Sequence, residues 1–303
     1  MSEQTLVDVQ DLVIEFDTPK GRVRVVDGVS FSVSPGEVLG ILGESGSGKT
    51  MSTQAILGLI GGYPGVMGGQ INLNDQGVTY ELLKDLPSFI SERRGQPEKN
   101  ERAWRKHRYA QMKKLWGRAI TSIFQNPRRS LDPLMTVGQQ VKESIQARES
   151  HKDALERLND QAQTEEALEW LAKVQMVDPA RVYHSYPHEL SGGMCQRAMI
   201  AVALACKPSI LVADEPTTGL DATVRAQIVH LLQDLIKAEQ CAMLYITHDI
   251  REMLYLADRV IVMRHGKVLE QVSANDLKEH ALERHEYTQV LLDAAGMIGA
   301  HDE

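Results

Sequence analysis

The run Gly43-Glu44-Ser45-Gly46-Ser47-Gly48-Lys49-Thr50 narrows the choice of fold more than any other stretch of the chain. It reads Gly, four residues, then Gly-Lys-Thr, after the unbroken apolar segment Val38 to Leu42 and before a helix-forming stretch. A strand, a glycine-rich turn and a helix in that order predict an α/β architecture whose turn holds phosphate. The glycines let successive N–H groups point inward. The dipole of the following helix favours the same negative charge. Lys49 suits the β and γ phosphates as a point charge, and the Thr50 hydroxyl suits Mg²⁺. The expectation is a nucleoside triphosphate site on Gly43, Glu44, Ser45, Gly46, Ser47, Gly48, Lys49 and Thr50, with Met51 continuing into the helix.

The second half carries matching parts. Ile210-Leu211-Val212-Ala213 is a short apolar run, as expected of a central parallel strand covered on both faces. It delivers Asp214 and Glu215 at its carboxyl end, where α/β sheets place ligand chemistry. Asp214 suits Mg²⁺, and Glu215 suits polarisation of an attacking water. An acid pair capping a strand before Pro216 carries little alone; beside a phosphate loop it carries much more. Leu190-Ser191-Gly192-Gly193-Met194-Cys195-Gln196 opens a further helix, from Met194 to about Cys206, and repeats the anion-binding logic of the first loop. Two phosphate-seeking helix starts in one chain point to a head-to-tail dimer. Ser191 and Gly193 of one subunit then close on the γ-phosphate held by the other.

These residues resemble the ATP-binding subunit of an ABC (ATP-binding cassette) transporter. Gly43 to Thr50 and Ile210 to Glu215 are similar to that family's two nucleotide motifs. Leu190, Ser191, Gly192, Gly193, Met194 and Gln196 fall on its signature motif, which faces the partner subunit's ATP. By the same resemblance Gln125, in Ile123-Phe124-Gln125-Asn126-Pro127, senses Mg²⁺ and the attacking water. His248, in Tyr245-Ile246-Thr247-His248-Asp249, contacts the γ-phosphate. Asp221, in Thr218-Gly219-Leu220-Asp221, acts across the dimer interface. Phe16 falls where the family places an aromatic against adenine, with Val25 as a second wall. The resemblance runs from about Leu6 to Leu292, with the motifs in order. Taken singly, Gln125 reads as a strand-end amide, His248 and Phe16 as core, and Asp221 as a cap for the helix from Ala222. The joint pattern is what lifts them.

Within the family the nearest likeness is to the oligopeptide, dipeptide and nickel importer ATPases. It is carried by Phe124-Gln125-Asn126-Pro127, Ser130-Leu131-Asp132-Pro133, Gly192-Gly193-Met194 and Asp214 to Asp221. His285-Glu286-Tyr287-Thr288-Gln289-Val290-Leu291-Leu292 resembles that subfamily's end motif, with Glu286 where proline is usual. Cys195 stands where a polar or basic residue is commoner. The chain stops at Glu303 without a cysteine-containing extension, so no iron–sulfur cluster is expected. The resemblance implies ATP and Mg²⁺ as ligands and a second, different ATPase subunit as dimer partner. It also implies two membrane permease subunits, an extracytoplasmic binding protein, and a place on the cytoplasmic face of the inner membrane. The cargo stays open between peptide, nickel, glutathione and oligosaccharide. The competing class is a non-transport ABC ATPase of translation or DNA repair; those usually carry two cassettes, coiled coils or zinc insertions, and this chain has none.

Composition fits that reading. The net charge of -8 argues against a general nucleic-acid binder, and the three cysteines, Cys195, Cys206 and Cys241, are spaced as free thiols. No run approaches the length of apolar sequence that spans a bilayer, and no signal peptide opens the chain. One ATPase domain is expected over 1–303. Its core with an antiparallel β layer covers about 1–136 and 207–272. A helical signature region covers about 137–206, and a helical tail about 273–303. Val7 to Phe16 and Arg22 to Val33 alternate as antiparallel strands around Thr18-Pro19-Lys20-Gly21. Val260 to Met263 and Lys267 to Gln271 read as a hairpin around His265-Gly266. From about Val137 to Val177 the pattern is helical, with Val141, Ile145, Leu155, Leu158, Ala167, Leu168, Leu171 and Val174 as candidate buried positions. An insertion at about 76–118 is unusual for the family. Between Glu92 and Lys114 it holds nine Lys or Arg against three acids, with Trp104 and Tyr109 interleaved. A solvated, partly helical surface is the favoured reading, ahead of a face for anionic lipid, an acidic partner or RNA.

Overall fold

The computed structural model describes residues 5–93, 96–279 and 284–294. In chain order the first elements are β1 (Val7–Thr18), β2 (Gly21–Val33), β3 (Val38–Leu42), α1 (Lys49–Ile56), β4 (Pro64–Asp75), β5 (Val78–Glu81), β6 (Ile90–Arg93), β7 (Gln96–Lys99) and α2 (Glu101–Met112). Next come β8 (Ile120–Ile123), α3 (Pro127–Ser130), α4 (Val137–Glu149), α5 (Asp160–Lys173), α6 (Pro179–His184), α7 (Gly192–Ala205), β9 (Ile210–Asp214), α8 (Ala222–Glu239) and β10 (Ala242–Ile246). The last are α9 (Ile250–Leu256), β11 (Arg259–Arg264), β12 (Lys267–Ser273), α10 (Ala274–Glu279) and α11 (Glu286–Ala294). They form two compact units: one runs to Lys114 and resumes at Leu244, and the other is Leu115–Met243.

In the first unit the alternating strands pair as expected. β2, β1, β4 and β5 make an antiparallel sheet, with Phe16 opposite Val23 and Val9 opposite Phe31. β1 buries Val7, Val9, Leu12 and Ile14. Gly69 of β4 lies so close to β1 that a Cβ there would sit 2.6 Å from the Leu12 Cα, so only glycine fits. β3 is buried at every residue and pairs in parallel with β11, Leu39 opposite Arg259 and Leu42 opposite Val262. That is the pattern of a strand covered on both faces. β11 and β12 form the expected hairpin, turning through His265 at φ 49° and Gly266 at φ 76°, the pair of left-handed residues that a two-residue hairpin favours.

The insertion is more than a solvated helix. β6 and β7 pair antiparallel, and Asn100 then caps α2, its side chain accepting the Ala103 N–H. Trp104 is 1% exposed beneath the Lys99 ammonium, which lies 3.8 Å from the ring centroid. Met112, fully buried, fills the space beside Gly58, where a Cβ would meet its Cγ at 2.4 Å. The opposite face of α2 presents Arg102, Arg105, Lys106, Tyr109 and Lys113 outward. Replacing Trp104 by Ala should therefore cost about 3–5 kcal/mol, read as a lowered urea midpoint. A change within experimental error shows that the insertion does not support the unit.

In the second unit β8 and β9 pair in parallel, Ile120 opposite Ile210, and α4, α5 and α7 pack together. The pairing of β8 with β9 joins the strands flanking the helical region. The compact unit therefore reaches from Leu115 to Met243, wider than the helical stretch expected at about 137–206. Thr136 and Gln139 form a capping box at the start of α4. Val141, Ile145, Ala167, Leu171 and Val174 are buried as expected, but Leu155 is 101% exposed and Leu158 and Leu168 are half-buried. The helix breaks between Glu149 and Asp160, and Asn159 caps α5 by accepting the Ala162 N–H at 2.9 Å. Leu155 thus sits on a turn outside any apolar stripe. Arg148 bridges α4 to α5 through Glu166 at 2.7 Å and also pairs with Glu149 at 2.9 Å. Burial pushes the Glu149 carboxyl up, but Lys152, the Leu158 N–H and Arg148 outweigh it and bring the group down to about 2.

Candidate nucleotide and catalytic sites

The phosphate loop leaves the end of β3 and enters α1, with Gly48 at φ 100° as the helix N-cap. Gly43 and Gly46 are also left-handed, at φ 152° and 83°, which explains glycine at both. Lys49 is only 6% exposed, and its Nζ donates to the Gly43 carbonyl at 2.7 Å and the Glu44 carbonyl at 2.8 Å. The cation is thus set under the loop before any anion arrives. The buried Ser47 Oγ has no hydrogen-bond partner among the described residues, an unmet group of the kind a phosphate oxygen satisfies. Glu44, Ser45 and Gly46 are exposed at the rim, and Thr50 and Met51 are half-buried. The loop is tightly backed. A Cβ at Gly48 or at Gly266 would sit 2.7 Å from the Val25 carbonyl, and the Gly266 N–H donates to the Ser47 carbonyl at 3.0 Å.

Phe16 and Val25 are half-buried rather than core, and the Phe16 ring packs where a Cβ on Gly62 would stand, 2.8 Å from its Cε1. His248 is exposed at the end of β10, on a turn held by Thr247, whose hydroxyl accepts the Asp249 N–H at 3.0 Å. Asp249 then caps α9 by accepting from Arg251 and Glu252. A cleft of about 430 Å³ brings His248 together with Gly43 and Glu44 of the phosphate loop, bounded by Leu291 and Ala294 of α11. This reach of α11 to the loop was not anticipated.

In the second unit Asp214 and Glu215 emerge half-buried at the end of β9. Glu215 has φ 46°, a left-handed conformation uncommon for a non-glycine residue. Its Oε2 accepts from the Gln125 Nε2 at 3.0 Å and from the Thr218 hydroxyl at 3.0 Å. Two separate motifs therefore meet on one carboxylate. Thr218 was not singled out from sequence, although it lies in the stretch Thr218-Gly219-Leu220-Asp221. Asp221 caps α8, accepting the Val224 N–H at 3.0 Å, as its position before Ala222 suggests.

Ser191 caps α7 by accepting the Met194 N–H at 3.3 Å, and its side chain is exposed. Gly192, Gly193 and Met194 are half-buried, whereas Leu190 and Gln196 are buried at 3% and 1%. Ser191 and the residues just after it are thus the solvent-accessible part of this segment. Gln125, Arg128 and Arg129, Gly192, and Thr218 to Leu220 line one cleft of about 500 Å³. Arg128 ties α3 to the signature by donating to the Leu190 carbonyl at 3.2 Å. Neither arginine was marked from sequence, because a pair of surface arginines carries no signal without the fold. Cys195 is buried, and that burial raises its thiol pKa despite the nearby Arg128. Burial likewise pushes Cys206 and Cys241 up to about 12, so all three remain thiols at neutral pH.

A glycine cradle with a pre-placed lysine, and an acidic strand end gripped by a glutamine, define a phosphate-loop nucleoside triphosphatase. The family described as ABC transporter matches residues 26–218. The chain belongs to that family and is one of its ATP-hydrolysing cassettes. The dipeptide transport ATP-binding protein DppD of Escherichia coli is 40% identical over 290 residues, 95% of this chain and 78% of its own length. The oligopeptide transport ATP-binding protein AppD of Bacillus subtilis is 38% identical over 295 residues, 97% of this chain and 79% of its own. For OppD of Escherichia coli the identity is 37% over 298 residues, 98% of this chain and 78% of that one. The dimeric structure of the ATP-binding cassette MJ0796 in a post-hydrolysis state bound to ADP and Pi shares the fold. Its TM-score is 0.65 at 23% identity, covering 88% of this chain and 98% of that one.

Proposed function

We propose that this chain is the ATP-hydrolysing subunit that powers peptide import, acting with two membrane permease subunits and an extracytoplasmic binding protein. The observation that carries the reading is identity of 37–40% across nearly the whole chain with transport ATP-binding proteins named for dipeptides and oligopeptides. The subunit acts at the cytoplasmic face of the inner membrane. Among the described residues no helix is long and apolar enough to cross a membrane, so the route for cargo belongs to other subunits.

In this reading Gly43 to Thr50 bind the triphosphate, Lys49 facing the β and γ phosphates, while Phe16 and Val25 face adenine. Glu215 takes the proton of the attacking water, and His248 contacts the γ-phosphate. Ser191, with Gly192, Gly193 and Met194, closes on the nucleotide of a second and different ATPase subunit, and Asp221 acts across that interface. The Thr50 hydroxyl, the Asp214 carboxylate and the Gln125 amide oxygen are hard oxygen donors suited to Mg²⁺. The Gln125 Nε2 is engaged by Glu215, which leaves its oxygen as the end available for a cation. When bound, Mg²⁺ would neutralise charge on the phosphates.

The test is reconstitution with the permease and binding-protein partners in proteoliposomes. ATP hydrolysis should rise when di- or oligopeptide is supplied, and not with Ni²⁺, reduced glutathione or an oligosaccharide. Stimulation by one of those other solutes alone removes the peptide assignment, and no stimulation by any removes the transport assignment.

A further inference from the structure

We propose that Tyr287, on α11, is a positioning residue of the nucleotide site, its hydroxyl holding the Glu44 peptide in the conformation that binds phosphate. The inference deepens the ATP-binding reading above and rests on it. Glu44 opens the loop after Gly43. Its N–H donates to the Tyr287 hydroxyl at 3.1 Å, across 243 positions of sequence. Its carbonyl accepts from the Lys49 Nζ at 2.8 Å and from the Ser47 N–H at 3.2 Å. The residue is thus fixed on both backbone sides, by Lys49 and Ser47 within the loop and by Tyr287 from the tail. Glu44 therefore spends its N–H on the tyrosine and serves as the anchored end of the loop. The N–H groups further along are left to converge on an anion.

The tyrosine is itself held in place. Its ring is 4% exposed, with the Arg264 guanidinium 4.5 Å from the centroid. Its N–H donates to the His285 Nδ1 at 3.1 Å. The His285 N–H and the fully buried Thr288 hydroxyl both donate to Glu270 of β12. The hairpin carrying Glu270 also touches the loop, through Gly266 and Ser47. Burial raises the hydroxyl pKa, so at neutral pH the group keeps its proton and can donate and accept together. A ring that served only to pack α11 would have no need of a hydroxyl aimed at the second residue of a phosphate loop.

The full chain bearing Tyr287→Phe keeps the ring and loses only the hydroxyl. Affinity for MgATP should fall about 3- to 10-fold, the range set by the loss of one net hydrogen bond. The KM for ATP should rise by the same factor while kcat stays within about twofold, since the loop is reached once ATP saturates it. The melting temperature without nucleotide should fall only slightly, by at most about 3 °C, the share of stability that one net hydrogen bond carries. Thr288→Val, which loosens the tie of α11 to β12, should move KM in the same direction. Unchanged ATP affinity in Tyr287→Phe overturns the proposal. So does a larger fall in melting temperature with equal loss of kcat and kcat/KM, which marks a packing role. Lys49→Ala separates the two readings. If it leaves ATP affinity intact, the nucleotide site itself is misassigned. If it abolishes binding while Tyr287→Phe changes nothing, only the role of the tyrosine falls.

Discussion

Glu215→Gln should lower ATP turnover by about two to four orders of magnitude while ATP still binds, the usual contribution of a general base. Gln and Glu are close in shape, and the amide oxygen can still accept from the Gln125 Nε2 and the Thr218 hydroxyl that meet the carboxylate at 3.0 Å each. The left-handed turn at φ 46° is equally open to either residue. What the amide cannot do is take a proton from water. The measurement is single-turnover hydrolysis beside equilibrium binding of MgATP. Turnover within tenfold of wild type would remove Glu215 as the base, and loss of binding would show that the carboxylate supports the fold instead. The same variant reports on pairing. With ATP present and hydrolysis blocked, this chain alone should remain a monomer if its natural partner is a different cassette. A stable homodimer on size exclusion with light scattering would overturn the heterodimer.

Lys49→Ala should weaken MgATP binding about 10- to 150-fold, the cost of removing a hydrogen bond to a charged group, and hydrolysis should fall with it. The effect has two sources. The ammonium is lost as a partner for phosphate, and the Gly43 and Glu44 carbonyls it now satisfies at 2.7 and 2.8 Å are left without it. Because those carbonyls belong to the loop itself, a modest drop in melting temperature should accompany the loss of affinity. Isothermal titration with a non-hydrolysable ATP analogue measures the first, and thermal unfolding without nucleotide the second. Affinity within threefold of wild type would mean that Lys49 does not face the phosphates.

Much of this was legible from residues alone, for stated reasons. β3 spans Val38–Leu42 and β9 starts at Ile210, where unbroken apolar runs placed them. The helix start at Asp221 followed from a side chain placed to accept a backbone N–H, whereas the helix expected from Met194 begins two residues earlier, at Gly192, with Ser191 as its cap. The misses share a cause. Leu155 looked like part of an apolar stripe because periodicity carries across a break as easily as through a helix; the break was set by Asn159 capping α5. Trp104 looked like an aromatic among surface charges because sequence does not show which face of α2 meets the segment around Gly58. Arg128 and Tyr287 act through partners 62 and 243 positions away. Pairings of that kind come from topology rather than local pattern.

The stacking of Gly48, Gly266 and the Val25 carbonyl has a consequence for how such a protein can vary. Three stretches far apart in sequence touch there main chain to main chain, with no space for even a methyl group. Side chains nearby can drift, but the count of residues leading into each stretch cannot. Lengthening β2 or the turn at His265 by one residue should ruin the anion cradle as surely as removing its lysine, whatever amino acid is inserted.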